Sequence, residues 1–342
     1  MHATQKKLVT DTSAYIAVNL LMSVGVAVLA GISRLIRSQI MQGETSMSRS
    51  LIVVLTLIAL VTALAACSPL SIVNGLTPTN TYIASANLAY GSDARQKLDV
   101  YQPRPSPDTR MPSDGYPVVV FFYGGSWTSG ERGDYKFIGE ALASHGIVTI
   151  VADYRLYPQV RYPDFLTDCA HALAWAQREA PQYSGDARRL YVMGHSSGAY
   201  NAAMLALDAR WLTSVGLAPS ALAGWIGLAG PYDFLPMTNV KAQPVFDHPN
   251  YPAGSQPVEY ASKGAAPRTF LGAASTDALV DPERNSKQLA EKLRTADVPV
   301  TIRMYPNANH ITLIGAFARP LRSIAPVLED VVAFVQSESS AQ

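Results

Sequence analysis

The sequence predicts an α/β fold in which a mostly parallel central sheet carries helices on both faces. Short, uninterrupted apolar runs at 117–122, 147–152 and 190–193 have the composition of strands buried on both sides of a parallel sheet. Stretches with helical periodicity at 135–144 and 165–179 separate these runs. Alternation of strands and helices is typical of a parallel sheet built from βαβ units. The 48% hydrophobic content of the 342 residues is ample for a buried core.

The alternation of strands and helices continues to the end of the chain. The further predicted strands are 97–101, 225–228, 268–271 and 300–304, and the further predicted helices are 197–208, 282–294 and 326–336. Residues 231–267 are rich in Pro, Gly and Asn and lack periodicity, so we interpret them as a short insertion over the active site. Because ligands of such sheets bind at the carboxyl ends of the strands, the loops that follow the strands are the first place to look for function.

The first 80 residues differ from the rest and predict a targeting region. Residues 47–66 combine a short basic start, an apolar run and small residues at the end, which is the pattern of a secretory signal peptide. Residues 1–46 contain a second apolar stretch at 15–32, about 18 residues and just long enough to span a bilayer. Either translation begins at Met47 and the first 46 residues are an upstream extension, or they hold a further membrane helix.

The end of the signal-peptide pattern carries a cysteine motif. Leu64-Ala65-Ala66-Cys67 resembles the lipobox of bacterial lipoproteins. The resemblance implies that Cys67 is lipidated, becomes the mature N-terminus and anchors the protein to the bacterial cell envelope, and Ser68 resembles the outer-membrane sorting pattern. The alternative is an ordinary signal or anchor helix that ends in Cys. Residues 67–80 then form a tether to a catalytic domain at 81–342.

Charge and composition argue against nucleic-acid binding, a disulfide-based fold and a bound cofactor. The 27 Lys and Arg residues nearly balance the 26 Asp and Glu residues, and no basic stripe occurs, so nucleic acid is not an expected partner. With two cysteines, the chain has too few for a disulfide scaffold. No His, Asp and Cys cluster has metal-ligand spacing, so no metal or organic cofactor is implied.

A candidate nucleophile lies where a predicted strand meets a predicted helix. Gly194-His195-Ser196-Ser197-Gly198 has the Gly-x-Ser-x-Gly pattern, and at a strand-to-helix turn this pattern predicts a nucleophile elbow that exposes the Ser196 hydroxyl. Glycines at both ends avoid the clashes that a β-carbon would cause in such a tight turn. The helix that follows directs its positive N-terminal end at the hydroxyl.

A serine nucleophile needs a histidine base, and elimination among the six histidines favours His310. His310 follows the last predicted strand, where a loop can return over the serine. His195 is set aside because we expect it to face the other way along the turn. The remaining histidines lie in the N-terminal extension, before a strand, within a helix and in the insertion: His2, His145, His171 and His248.

The base needs a carboxylate partner, and two candidates lie between the serine and the histidine in the chain order Ser, acid, His. Asp277 follows a predicted strand in a loop of small residues and is preferred. Asp233 also follows a strand at the carboxyl edge and is the alternative.

The oxyanion formed in acyl transfer needs backbone N–H donors. Ser197, the residue after the nucleophile, supplies one. Gly124 and Gly125 follow the strand at 117–122 and are candidates for the others, because glycines let the backbone approach the substrate closely; by themselves they also fit a plain turn, and it is the resemblance described next that implies their place around the oxyanion.

Together these pieces resemble the α/β-hydrolase esterase and lipase family, close to bacterial carboxylesterases and hormone-sensitive-lipase-like enzymes. The matching segments are Tyr123-Gly124-Gly125-Ser126-Trp127, Asp153-Tyr154-Arg155-Leu156-Tyr157-Pro158, the Gly194–Gly198 run, Asp277-Ala278-Leu279-Val280 and Asn309-His310. The resemblance implies a triad of Ser196, Asp277 and His310, and an ion pair of Asp153 with Arg155 at a strand end. Tyr123 departs from the family, which carries His there to brace the oxyanion loop.

The expected function is hydrolysis of small or short-chain carboxylic esters through an acyl-enzyme on Ser196. The insertion is short for a lid, which suits small soluble esters. Two alternatives remain: an amide hydrolase, because the Gly-Gly-x-Trp run also resembles the arylformamidase group, and a non-catalytic envelope binding protein of the same fold.

Overall fold

Eight strands form one sheet in the computed structural model, which describes residues 69–106, 110–261 and 266–337. In chain order the strands are β1 (Tyr82–Ala89), β2 (Lys97–Pro103), β3 (Tyr116–Phe122), β4 (Val148–Ala152), β5 (Gly185–His195), β6 (Leu222–Leu228), β7 (Thr269–Ala274) and β8 (Val300–Tyr305). Across the sheet they follow the order β1-β2-β4-β3-β5-β6-β7-β8. β2 is antiparallel to both of its neighbours and all other pairs are parallel, so the predicted α/β class with a mostly parallel sheet is confirmed.

Helices cover the sheet because its central strands have no polar face. Every residue of β3, β4 and β7 is buried, as the uninterrupted apolar runs predict. The helices are α1 (Pro69–Gly75), α2 (Lys136–Ala143), α3 (Asp164–Glu179), α4 (Ser197–Leu207), α5 (Ala209–Ser214), α6 (Gln288–Thr295), α7 (His310–Gly315) and α8 (Val327–Gln336). Helices α2 and α8 contact each other, α3, α4 and α5 contact one another, and these two groups cover the two faces.

Short single turns complete the regular structure of the described residues. The 3₁₀ turns are Arg132–Tyr135, Ala180–Tyr183, Pro219–Ala221, Gln243–Phe246, Pro257–Glu259 and Arg319–Ile324, and a π turn at Glu283–Lys287 leads into α6. The predicted helix at 282–294 is therefore a π turn followed by an α-helix. Two of the 3₁₀ turns lie in the predicted insertion between β6 and β7, and their buried side chains pack it onto the domain.

Several N-terminal predictions lie outside the described residues and stay predictions: the segments 1–46 and 47–66, and lipidation at Cys67. The predicted tether at 67–80 is only partly irregular, because α1 occupies Pro69–Gly75. Within the part of the chain that the structure describes, no helix combines the length and apolar character needed to cross a bilayer.

The parallel pairing brings the candidate site together at one edge of the sheet. In the register of β3 with β5, Phe122 lies opposite Gly194, and in that of β5 with β6, His195 lies opposite Leu228. The segments that follow β3, β5 and β6 therefore leave the sheet side by side. They contain the candidate oxyanion loop, the candidate nucleophile and the insertion.

Candidate active site

Ser196 lies between the end of β5 and the start of α4, in a strained backbone conformation. Its φ of 54° and ψ of −124° belong to a region that side-chain-bearing residues rarely adopt. Such a conformation costs about 1–3 kcal/mol and persists only where the surrounding structure enforces it. Here the Ser196 backbone N–H donates to the carbonyl oxygen of Leu228 in β6, at 2.9 Å. The turn is the predicted nucleophile elbow, and it fixes the direction of the hydroxyl.

Two glycines make this turn possible. A β-carbon on Gly194 would lie 2.0 Å from the carbonyl oxygen of Gly198, and a β-carbon on Gly198 would lie 2.0 Å from that of Phe122. Atoms at these distances would overlap, and the obstacles are backbone atoms that cannot rotate away. The elbow therefore packs backbone against backbone, both within itself and against the end of β3.

His310 connects the Ser196 hydroxyl to a carboxylate. Its Nε2 lies 2.9 Å from Ser196 Oγ, and its Nδ1 lies 2.7 Å from Asp277 Oδ2. Because an ionised carboxylate can only accept, Nδ1 carries the proton and donates it to Asp277, and Nε2 has a free lone pair for the serine hydroxyl. This is the tautomer that a general base for Ser196 requires.

Asp277 is oriented by its own loop. Its second carboxylate oxygen, Oδ1, accepts from the backbone N–H groups of Leu279 at 2.8 Å and Val280 at 3.0 Å. Burial alone would raise the pKa of Asp277, but the contact with His310 and the two backbone donors outweigh it, so the pKa lies below the ordinary value. Asp277 is therefore ionised at neutral pH.

The alternative acid, Asp233, is engaged elsewhere. Its Oδ1 accepts from Arg284 Nη2 at 3.0 Å, and its backbone N–H donates to Asn285 Oδ1 at 2.9 Å. The structure thus brings Asp277, and not Asp233, to the His310 ring.

His310 is the first residue of helix α7, whereas the sequence suggested a loop. Asn309 caps this helix, because its Oδ1 accepts from the N–H groups of Ile311 at 3.0 Å and Thr312 at 2.9 Å. Thr312 Oγ1 in turn accepts from the Asn309 backbone N–H at 2.8 Å, which completes a capping box. The box fixes the backbone from which the His310 ring projects.

Two of the candidate oxyanion donors, Ser197 and Gly124, lie next to the nucleophile on two different elements. Ser197 is the first residue of α4, so its N–H has no acceptor within the helix. Gly124 lies against the elbow, since a β-carbon there would stand 2.8 Å from Ser196 Cβ. The loop then runs through three consecutive positive φ angles, 133° at Gly125, 55° at Ser126 and 59° at Trp127. Two of these residues carry side chains, so the loop needs strong supports.

One support is Tyr123, the residue that replaces the family's histidine. Its hydroxyl donates to Asp153 Oδ1 at 2.7 Å and accepts from Arg95 Nη2 at 2.7 Å. Burial raises the pKa of Tyr123 well above its ordinary value, so the hydroxyl keeps its proton and its bond to Asp153. Tyr154 donates from its hydroxyl to the Tyr123 carbonyl oxygen at 2.8 Å. These bonds fix Tyr123 and so support the loop that begins at Gly124.

The ion pair expected between Asp153 and Arg155 is wrong. Asp153 is bound by Arg132, through both the backbone N–H and the guanidinium, and lies near Arg95. Arg155 instead forms a salt bridge with the fully buried Asp168 of α3, at 2.8 Å. Both residues lie beyond the end of β4 at Ala152, so strand geometry does not pair them.

His195 is not the base, as the sequence predicts, but its ring does contact the residue that is placed as the base. Its Nε2 donates to the backbone carbonyl oxygen of His310 at 2.9 Å, and the two rings lie 5.0 Å apart. Because Nε2 must carry the proton for this bond, Nδ1 is unprotonated, and it lies buried beside Gly124. Burial and the neighbouring His310 lower the pKa of His195 to about 3.

The strand order, the elbow and the Ser–His–Asp chain at the carboxyl edge define the protein as an α/β-hydrolase of the serine-nucleophile type. A sequence profile of the BD-FAE family matches residues 98–293, more than half of the chain. The chain belongs to this family.

Curated relatives are similar over part of their length. The chain is 27% identical over 276 residues to a probable isoprenylcysteine alpha-carbonyl methylesterase of Arabidopsis thaliana, which covers 74% of this chain and 63% of that protein. It is 32% identical over 151 residues to a probable methylesterase of the same name from Oryza sativa subsp. japonica, covering 43% and 35%. Identity to Esterase LipC of Mycobacterium tuberculosis is 27% over 231 residues, covering 62% and 56%. The chain thus spans about a third to just under two thirds of these relatives.

Solved structures share the fold. A truncated carbohydrate esterase from gut microbiota superposes with a TM-score of 0.61 at 18% identity, covering 76% of this chain and 98% of that one. A thermostable esterase from Pseudomonas putida gives a TM-score of 0.57 at 22% identity, covering 78% and 86%. At these identities the likeness shows the fold alone.

The first prediction concerns the pH dependence of stability. The folded state keeps His195 neutral, whereas the unfolded chain protonates it below its ordinary pKa of 6.5. The unfolded state then binds more protons, so this residue lowers the free energy of unfolding by about 2 kcal/mol between pH 7 and pH 5. Replacing His195 by Gln removes this proton uptake. When the free energy of unfolding is measured with urea, we expect its decrease from pH 7 to pH 5 to be about 2 kcal/mol smaller in the variant than in the wild type. An equal loss in both proteins would contradict a buried, neutral His195.

Proposed function

We propose that this protein is a serine carboxylic ester hydrolase acting on small or short-chain esters through an acyl-enzyme on Ser196. The observation that carries the proposal is the hydrogen-bond chain from Ser196 Oγ through His310 to Asp277, at 2.9 and 2.7 Å. Such a chain activates a hydroxyl for attack on a carbonyl carbon. The relatives are named as esterases and methylesterases, which supports esters as the substrate class.

The proposed reaction consists of acylation and then deacylation of Ser196, and His310 and Asp277 take part in both steps. His310 Nε2 takes the proton as Ser196 Oγ attacks the carbonyl carbon, and the same proton then goes to the leaving alcohol oxygen, which gives the acyl-enzyme and the free alcohol. Water next attacks the acyl carbon while His310 takes its proton, which passes to Ser196 Oγ as the carboxylic acid leaves. Asp277 stays ionised throughout and stabilises the imidazolium of His310.

The negative charge on the attacked oxygen is assigned to backbone donors. The N–H of Ser197 faces it from the start of α4, and those of Gly124 and Gly125 face it from the oxyanion loop. These donors are worth most because they are already in place before the charge develops.

The packing beside the oxyanion loop supports small substrates. The Trp127 ring contacts Phe246 of the insertion with centroids 4.9 Å apart and Tyr200 of α4 at 5.1 Å. Phe165 of α3 lies 5.9 Å from the same ring, and all four side chains are buried. Because these rings fill the space between the loop and the insertion, a long acyl chain would have to displace them.

We further propose that the mature protein is a lipoprotein anchored at Cys67 in the bacterial cell envelope, on the outer membrane. The apolar run at 51–66 and the Cys67 that follows it, in the sequence Leu64-Ala65-Ala66-Cys67, support this proposal. Residues 67–80 would then join the anchored Cys67 to the catalytic domain.

Replacing the proposed triad residues tests the mechanism. Ser196→Ala should lower kcat by about 10⁴-fold or more, because the triad acts as a unit. Asp277→Asn should lower kcat by about 10⁴-fold, since an amide at this position favours the wrong histidine tautomer. Asp233→Asn is the matched control and should stay within about threefold of the wild type, since its carboxylate is bound to Arg284. Steady-state hydrolysis of p-nitrophenyl acetate measures all three. A larger loss in Asp233→Asn than in Asp277→Asn would reverse the assignment.

A substrate panel tests the ester preference and the chain length. We expect kcat/KM for p-nitrophenyl esters to fall by about tenfold or more from the butyrate to the laurate, because the longer chain displaces buried rings. An N-formyl aryl amine should be hydrolysed far more slowly than the acetate ester. Faster turnover of the formamide would favour an arylformamidase, and no labelling of the folded protein by a fluorophosphonate would favour a non-catalytic binding protein.

The lipid anchor is tested in a bacterial host. Wild-type protein should fractionate with the membranes and yield a lipid-modified N-terminal peptide that begins at Cys67. Cys67→Ala should abolish this modification, whereas Cys169→Ala, at a buried thiol, should leave it unchanged. An unmodified chain that begins at Met1 would contradict the proposal.

A further inference from the structure

The oxyanion loop and helix α4 must be held at a fixed distance, because each supplies part of the proposed oxyanion hole. Donors in such a site need to be placed within about 0.5 Å to stabilise the developing charge. The first part of the loop is fixed by the contact of Gly198 with the carbonyl oxygen of Phe122. The far end of the loop, at Trp127, needs a second contact with the helix.

Asn201 supplies this contact. The indole N–H of Trp127 donates to Asn201 Oδ1 at 3.0 Å, and Asn201 is fully buried on α4. Asn201 lies three residues after Gly198, so the two residues share the face of α4 that is turned to the loop. One face of the helix thus contacts both ends of the oxyanion loop.

The orientation of the Asn201 amide follows from its partners. An indole N–H can only donate, so the carbonyl oxygen of the amide must face Trp127. The amide nitrogen then points to the buried Cys169 Sγ of α3, at 3.6 Å. The amide therefore links the oxyanion loop, α4 and α3 in a part of the protein that water does not reach.

The Trp127 backbone shows why such a contact matters. Ser126 and Trp127 both have positive φ angles, which their side chains disfavour. The Trp127 carbonyl oxygen accepts from the Tyr157 N–H at 2.9 Å, and Asn239 Nδ2 donates to Ser126 Oγ at 3.0 Å. These two bonds connect the loop to Tyr157 and Asn239, whereas the bond to Asn201 connects it to helix α4, which follows Ser196.

We propose that Asn201 is a positioning residue for acyl transfer, and that its bond to Trp127 sets the distance between the two halves of the oxyanion hole. The side-chain hydrogen bonds of Asn201 are to Trp127 and Cys169, not to Ser196. Its effect reaches the transition state through the placement of the Gly124 and Gly125 N–H groups relative to that of Ser197. The inference rests on the proposed acyl transfer at Ser196.

The test compares Asn201→Leu with Asn201→Asp. Leucine is similar in size and removes the acceptor, whereas aspartate keeps an oxygen in the same place and Cys169 can donate to its second oxygen. With p-nitrophenyl acetate, we expect Asn201→Leu to lower kcat by about 10- to 100-fold with KM changed less than about twofold. Asn201→Asp should keep kcat within about threefold of the wild type. The affinity for a trifluoromethyl ketone, which mimics the tetrahedral intermediate, should fall in parallel with kcat.

Trp127→Phe tests the same bond from its other side, and it decides the matter if Asn201→Leu does not fold. It should show the same loss of kcat, and the double variant should lose little more than either single variant, because both remove one bond. Unchanged kcat and inhibitor affinity in folded Asn201→Leu or Trp127→Phe would overturn the proposal. An equal loss of kcat in Asn201→Asp and Asn201→Leu would also overturn it.

Measurements on the wild-type protein distinguish a failure of this inference from a failure of the proposed function. If wild-type protein hydrolyses no ester, the proposed substrate class fails. The rate of fluorophosphonate labelling at Ser196 then measures the hole directly, because the phosphoryl oxygen occupies it. An unchanged labelling rate in the Asn201→Leu variant would overturn the positioning role, and a rate lowered by about tenfold or more would support it.

Discussion

The close approach of two backbone segments at Gly198 is the constraint on which the site depends. The first turn of α4 lies against the end of β3, and a β-carbon at Gly198 would overlap the Phe122 carbonyl. This contact places the start of the oxyanion loop beside the elbow. The sharp turn in which Ser196 adopts its strained φ of 54° lies immediately before this contact in the chain. The proposed nucleophile and the proposed oxyanion loop can therefore lie close together because Gly198 has no side chain.

The ion pair between Asp153 and Arg132 also helps to position the loop that begins at Gly124. Asp153 is almost fully buried, yet it binds the Arg132 guanidinium and the Tyr123 hydroxyl. Buried ion pairs add little net stability, because desolvation opposes the attraction between the charges. Their hydrogen bonds are directional, however, and here they fix Tyr123 directly before Gly124. Tyr123 therefore supports the loop through its hydroxyl bond to Asp153 and its carbonyl bond from Tyr154.

The parts that the sequence predicted are those with a strong local signal. The apolar runs of β3 to β7 and the glycines of the elbow are patterns of adjacent residues, and the structure contains the elements that they predict. Strand β1 was missed because most of its residues are exposed or only half buried, which leaves no apolar pattern. Helix α7 was missed because its six residues are too few for periodicity, although Asn309 and Thr312 form its capping box.

The contacts around the candidate site were harder to predict because they join distant parts of the chain. Arg132 meets Asp153 and Asn201 meets Trp127 only once the sheet has formed. Chain order could rank Asp277 above Asp233, but the distance to His310 decides between them. Side-chain direction at a strand end depends on the pleat and twist of the strand, which is why the contact of His195 with His310 was not predicted.

The contact of His195 with His310 has a consequence for the proposed chemistry. The reaction places a positive charge on His310, and a second charge on His195 would lie about 5 Å away. At an effective dielectric constant of about 20, the repulsion would be about 3 kcal/mol, which corresponds to roughly a hundredfold in rate. Burial lowers the pKa of His195 to about 3, so this charge is absent at neutral pH. A neutral His195 can hold the His310 backbone without opposing the charge that forms on the His310 ring.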